Sequence, residues 1–296
     1  MSFGFLAPLT LAAMALVATL SGVPPQPVFQ STIRIVDVRG AASLVARGAS
    51  VLDGRESSAY VSGHLPGAQL YAWSLFTQAG SRRGVLRPDM DALASRFASL
   101  GVDQDRPTLV YGASSAGQGE EGHAAWLLAL LGHADIAMLD GGIDAWRAAG
   151  RPVVTGTTGA RAGRFVANVR PGLRVEQAEL AQRTTQVLDV RTAAEFAGST
   201  PWGESCGGHL PSARLMDWRE LLDERGRFKP ASQMRASLER AGVDPAAPLV
   251  ALCSVGVRSA FVCAALAARG VSLVANYDGS MVEWSATEGA PITRTS

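Results

Sequence analysis

Histidine and cysteine are scarce, at four and three residues in a chain of 296. Cys206, Cys253 and Cys263 are too few for a disulfide framework, none belongs to a CxxC pair, and four histidines form no cluster at metal-ligand spacing. A cysteine-stapled scaffold and a zinc-held module are therefore not expected, and no metal is called for. An excess of either charge is also missing: 27 basic residues face 26 acidic ones, for a net charge of +1. The arginines are scattered and no basic run interleaves with aromatics, so a nucleic-acid partner is not expected.

Charged side chains are absent altogether from residues 1–33. Within them Leu9–Val23, LTLAAMALVATLSGV, is a 15-residue apolar run without proline. It falls short of the about 20 residues of a membrane span and has the length of the apolar centre of a signal peptide. No Lys or Arg precedes it and no A-x-A follows; Thr19-Leu20-Ser21 is the best small-x-small site. The expectation is an exported, periplasmic protein. The alternatives are an uncleaved tail that contacts a membrane, or a mis-assigned start on a cytoplasmic chain. Gly22–Gln30, GVPPQPVFQ, reads as an extended proline-rich linker.

The remainder has the composition of a globular protein, 47% hydrophobic and 18% charged, and the length suits two domains. It also repeats itself. VLDGRESSAY from Val51 matches VLDVRTAAEF from Val187, and GHLPGA from Gly63 matches GHLPSA from Gly208. LGVDQDRPTLVYG from Leu100 matches AGVDPAAPLVALC from Ala241, and LDGGIDAW from Leu139 matches YDGSMVEW from Tyr277. Four matches in one order mark the duplication of a domain of about 120 residues. In each copy short apolar strands such as QVLDV, LVALC and SLVANYD alternate with helical stretches such as ASQMRASLERAG. That alternation implies parallel strands joined by crossover helices, an α/β fold. The expected division is residues 1–30 as apolar segment and linker, 31–153 as the first domain, 154–173 as interdomain linker and 174–296 as the second domain.

Open parallel sheets bind ligands beyond the carboxyl ends of their strands, and Cys253 stands at such an end. In LVALCSVGVRSAFVCAALAARG, Leu249–Leu252 reads as a buried strand, Cys253–Arg258 as a tight loop and Phe261–Ala268 as a helix closed by Gly270. A helix N-terminus and a nearby arginine can lower a thiol pKa from about 8.5 to roughly 3.5–7.5. Both are at hand. The backbone N–H groups of residues 254–259 would form an anion cradle, Gly256 would allow the turn, Ser254 and Ser259 could add hydroxyl donors, and Arg258 would bring a fixed charge.

CSVGVRS resembles the active-site loop of rhodanese-type sulfurtransferases, and VLDVRTAAEF, GHLPSA and YDGSMVEW resemble that family's other signatures in the family's order. The resemblance covers residues 35–153 and 174–291. It implies two domains, each a small parallel sheet flanked by helices on both faces, with one working site. Cys253 would be the catalytic nucleophile, taking sulfane sulfur from thiosulfate or a similar small donor as a persulfide. The cradle Ser254, Val255, Gly256, Val257, Arg258 and Ser259 would bind substrate. Cyanide, a thiol or a protein acceptor would then accept the sulfur, with no cofactor. Aligning LVYG with VALC puts Gly112 at the Cys253 position, so the first domain would only help wall the cleft. In vertebrate mercaptopyruvate-using members an arginine follows the D-x-R strand and binds the carboxylate, and the loop ends in Thr; here Glu195 and Arg258 stand at those places, which favours thiosulfate. Other thiosulfate enzymes often carry a basic residue inside the loop. Here that interior is Ser254 and Val255, leaving Arg258 to attract the anion alone.

Two rival readings share the loop. Cysteine-based phosphatases and arsenate reductases of related fold use C-x5-R to enclose a tetrahedral oxyanion, whereas Cys253–Arg258 is C-x4-R, a smaller cradle. A non-enzymatic persulfide carrier or redox module would look the same. The remaining candidates read as scaffold. Asp189–Arg191 recurs as Asp53–Arg55 in the copy without a nucleophile, an internal ion pair. His64 and His209 recur in the GHLP turns. Asp278 and Trp284 mirror Asp140 and Trp146 and would fix a turn and pack the last helix. His123 and His133 read as surface or packing residues, and Cys263 as an inert buried thiol. Cys206, in the insertion GSTPWGESCGG, reads as an exposed bystander or, alternatively, as a resolving thiol for Cys253.

Overall fold

The computed structural model describes residues 32–182, 185–271 and 274–294; the apolar run and its signal-peptide reading lie outside these residues. The first sheet contains β1 (Ile33–Val36), β2 (Ser50–Asp53), β3 (Gln69–Leu70), β4 (Thr108–Tyr111) and β5 (Ile136–Leu139), ordered β1-β5-β4-β2-β3 and parallel throughout. The second contains β6 (Gln186–Asp189), β7 (Arg214–Leu215), β8 (Leu249–Leu252) and β9 (Val274–Asn276), ordered β7-β6-β8-β9 and also parallel. The order β3-β2-β4-β5 is thus repeated as β7-β6-β8-β9. The counterpart of β1 shrinks to one bridge between Arg174 and Asn276.

Strand residues alternate between two apolar layers, as a parallel sheet covered on both faces requires. Val51, Leu109, Ala137 and Leu139 face an outer core with Tyr60, Ile143 and Trp146. Val250, Leu252 and Ala275 do the same with Tyr277, Met281 and Trp284 in the second domain. The inner faces, with Leu52, Val110 and Met138 from one sheet and Leu188, Leu249 and Ala251 from the other, share a single core. Its centre is the pair of equivalent helices Glu120–Leu130 and Val257–Ala268, which pack against each other. Their contact is close enough that a Cβ on Gly122 would strike the Phe261 backbone. The two domains are therefore built around one shared interior.

Two sequence expectations change here. The helix after β8 begins at Val257, not Phe261, because Gly256 in the left-handed region (φ 77°) turns the chain straight into it. Arg258 is thus a first-turn helix residue. The stretch 154–173 is docked on the first domain: Val154 bridges His64, Asn168 N–H donates to Leu131, and Phe165 is buried. Among the described residues no helix is long and apolar enough to cross a membrane.

Candidate active site

Strand β8 delivers Cys253 to the carboxyl edge of the second sheet, fully buried. The loop is pinned from behind by the segment after β9. The Cys253 N–H donates to Ser280 Oγ at 3.0 Å, and that hydroxyl donates to the Tyr277 carbonyl at 2.8 Å. Met281 and Val282 N–H donate to the Cys253 and Ser254 carbonyls at 3.1 and 3.0 Å. Asn276 Nδ2 holds the Gly256 carbonyl at 3.1 Å. With these carbonyls tied back, the Val255 and Ser259 N–H groups are left to act on the sulfur. Ser259 Oγ donates to Cys253 Sγ at 3.6 Å.

Burial alone pushes the Cys253 thiol up. The Arg258 charge, the Ser259 N–H and hydroxyl, and the Val255 N–H outweigh it, and the thiol lies below its ordinary value. Cys263, buried in the same helix without such donors, is pushed well up instead and stays an inert thiol. The two cysteines show which physical effect decides: desolvation is common to both, and only one has a cradle.

Arg258 does not stand as a free cation. Its Nη1 and Nη2 donate to the two Glu195 oxygens at 2.9 and 2.7 Å, and both side chains are buried. Ser254 Oγ joins them, donating to Glu195 at 3.1 Å and accepting from Arg258 at 3.1 Å. Glu195 is placed by a capping box with Thr192 at the start of helix Ala193–Ala197. Burial raises its pKa, but the Arg258 pair and Thr192 overcome this and hold it at about 2, so it is ionised and partly offsets the Arg258 charge. Val255 brings its N–H to the thiol, while the Val255 and Val257 side chains form an apolar patch with Val282 against Trp73 and Trp202. Trp202 belongs to the insertion unique to the second copy; Trp73 comes from the first domain.

The first domain closes over the loop through 80–87. Gly84 rests so close to the Val255 backbone that a Cβ would collide with it. Leu86 N–H donates to Asp278 Oδ2 at 2.7 Å. The equivalent loop of the second domain crosses the other way, with Phe228 N–H donating to Asp140 Oδ1 at 2.9 Å. Asp140 and Asp278 thus fasten the two domains to each other, beyond the turn-fixing role their sequence suggested. Trp146 and Trp284 tie their own helices to the segments that follow, donating to the Pro152 and Pro291 carbonyls.

The first copy of the site is filled. A Cβ at Gly112, the Cys253 equivalent, would fall on the Glu121 carboxyl. Burial pushes the Glu121 pKa up to about 8, and its Oε2 has no partner among the described residues. Asp53–Arg55 and Asp189–Arg191 form the expected buried ion pairs, each with an arginine also donating to the carbonyl of the GHLP-turn glycine. His64 and His209 bond the Tyr60 and Phe196 carbonyls and stay structural. His123 and His133 are both buried, His123 against Tyr71 and His133 against Thr108, so the surface reading does not hold for either. Cys206 is half-buried, and neither it nor the buried Cys253 is in a disulfide. Sequence reasoning missed Ser280, Trp73 and Trp202. Only Ser280 had a visible signal, inside YDGSMVEW.

A family model described as Rhodanese-like domain matches residues 30–149 and again 175–287. The chain is 32% identical over 292 residues to a thiosulfate sulfurtransferase of Corynebacterium glutamicum, covering 90% of this chain and 94% of that one. It is 28% identical over 254 residues to a sulfur carrier protein of Thermus thermophilus, covering 79% and 87%. Its fold superimposes on the crystal structure of a 3-mercaptopyruvate sulfotransferase from Escherichia coli with a TM-score of 0.74 at 27% identity, covering 83% and 98%. With two copies of the domain, a single cysteine at the mouth of the second and relatives of this kind along nearly its whole length, the chain belongs to the rhodanese-like domain family, as a tandem sulfurtransferase.

Proposed function

We propose that the protein moves sulfane sulfur from thiosulfate to a thiophilic acceptor through a persulfide on Cys253. The observation that carries this reading is the place of Cys253, buried at the carboxyl end of β8 with the Ser259 hydroxyl on its sulfur, where the Arg258 charge and the Ser259 and Val255 N–H groups lower the thiol pKa. The thiolate attacks the outer sulfur of thiosulfate; a Cys253–sulfur bond forms, the sulfur–sulfite bond breaks, and sulfite leaves with the electron pair. The N–H groups of residues 254–259 hold the anionic terminal sulfur. Cyanide or a thiolate then attacks that sulfur and Cys253 leaves as thiolate, giving ping-pong kinetics. Thiosulfate is favoured over mercaptopyruvate because Glu195, and not an arginine, occupies the position facing the loop and already engages Arg258. The resemblance to the Thermus carrier supports a second reading, in which the acceptor is a protein thiol.

Purified protein assayed with thiosulfate and cyanide should release thiocyanate, and Cys253→Ala should abolish it. Thiosulfate alone should add one sulfur mass to Cys253. Loading from a persulfidated protein with no small-molecule turnover would favour the carrier. Hydrolysis of an aryl phosphate or reduction of arsenate, without sulfur transfer, would overturn both.

A further inference from the structure

The cradle's own arginine is committed to Glu195, so a second, unpaired charge at the site would be the better one to draw an anionic donor. Around the loop Arg258 pairs with Glu195, Arg82 with Glu283 at 3.2 Å, and Arg174 with Asp278 at 3.0 Å. Arg83 differs. Its guanidinium carbon lies 5.6 Å from the Trp73 ring centre and 5.8 Å from that of Trp202, at cation–π distance from one tryptophan of each domain. Trp202 in turn lies 5.6 Å from Arg258, and both tryptophans pack on the loop's Val255 and Val257. Stacking occupies the faces of a guanidinium and leaves its planar rim of N–H donors free. Among the described residues no carboxylate and no hydrogen-bond acceptor meets the Arg83 side chain. The backbone places it at the lip, because the next residue, Gly84, lies against Val255.

We infer that Arg83, donated across the domain interface and clamped between Trp73 and Trp202, is the subsite that binds the anionic end of the sulfur donor. This inference rests on the sulfurtransferase reading above and adds the donor's docking point. A fork of N–H donors matches the two oxygens of a sulfonate edge bidentately. The tryptophans restrict the arginine's rotamers, so little entropy is lost on binding, and they exclude water from the contact. The first domain, which has no nucleophile, thereby supplies an unpaired charge to the site of the second.

The test measures thiosulfate binding by calorimetry to the Cys253→Ala protein, with and without Arg83→Gln. A dissociation constant raised roughly tenfold or more by Arg83→Gln is expected, about 1.4 kcal/mol, with Arg83→Lys recovering part of it because it keeps charge without the fork. An unchanged constant overturns the inference, and so does the absence of thiosulfate binding to Cys253→Ala. Should Arg83→Gln fail to fold, Arg83→Lys alone must still weaken binding. In turnover Arg83→Gln should raise the thiosulfate KM more than it lowers kcat and leave the cyanide KM alone; a fall in kcat alone would count against it. Arg83-dependent thiosulfate binding in a protein that makes no thiocyanate would keep this subsite and sink the sulfur-transfer reading. Thiocyanate formation with a KM indifferent to Arg83 would do the reverse.

Discussion

At Cys253, burial and the cradle pull the thiol in opposite directions, and pH resolves which prevails. The thiolate is present above the thiol's pKa and lost as pH falls through it. Alkylation of Cys253 by iodoacetamide, located by peptide mass, should therefore reach half its plateau below the about 8.5 of a free cysteine. Arg258→Gln should move that midpoint up. Glu195→Gln should move it down, because the carboxylate that partly offsets Arg258 is gone. The same change breaks a buried pair and should cost about 3 kcal/mol in denaturant unfolding. Glu195 is held at about 2, so the pair's contribution is complete above the unfolded carboxyl's value of about 4.3 and fades as pH drops toward 2. Asp189–Arg191 was legible in the sequence because the partners sit two apart and recur. Glu195–Arg258 was not, since 63 residues separate them and only the fold brings them together. The sequence showed the departure at Glu195 and gave no hint of its partner.

The two central helices set the distance between the sheets. A methyl at Gly122 would meet the Phe261 backbone. Alanine gains about 1 kcal/mol of helix propensity over glycine, but overpacking costs about 1–3 kcal/mol, and rigid backbone gives way less than a side chain does. Gly122→Ala should therefore lower the melting temperature. At the start of the same helix, Glu121 is buried with its pKa raised to about 8, so the folded protein holds a proton that the unfolded chain releases near pH 4.3. Stability should fall as pH rises between those values. Glu121→Gln should remove that slope, raising the melting temperature at pH 8 more than at pH 5; an equal change at both would contradict it. Strand and helix periodicity located these elements from sequence. The helix start four residues before Phe261 escaped it, because Gly256 acts through its backbone angle and leaves no apolar pattern.

For the whole molecule, the repeat in the sequence announced two domains, and SRRGVLRP stands opposite DERGRFKP in it. Nothing local said that each of these loops would lie on the other copy, which only the shared core and the Asp140 and Asp278 contacts reveal. The two contacts are equivalent in geometry and unequal in consequence, since only the loop held by Asp278 carries Arg83. Each replacement by alanine removes a hydrogen bond to a carboxylate acceptor, about 1.5–3 kcal/mol, and Asp278→Ala also strips Arg174 of its close partner and should cost more. Asp278→Ala should in addition raise the thiosulfate KM, whereas Asp140→Ala should leave it near the wild-type value; equal shifts in steady-state assays would contradict the asymmetry. The filled pocket at Gly112 bears on the history of the pair. A cysteine placed there meets the Glu121 carboxyl, the far end of a flexible side chain, and would have to displace it from its buried site. Room is the smaller obstacle: residues 113–121 hold no arginine, so a thiol restored at 112 would still want the charge that lowers Cys253, and the division of labour between the twins works as a ratchet.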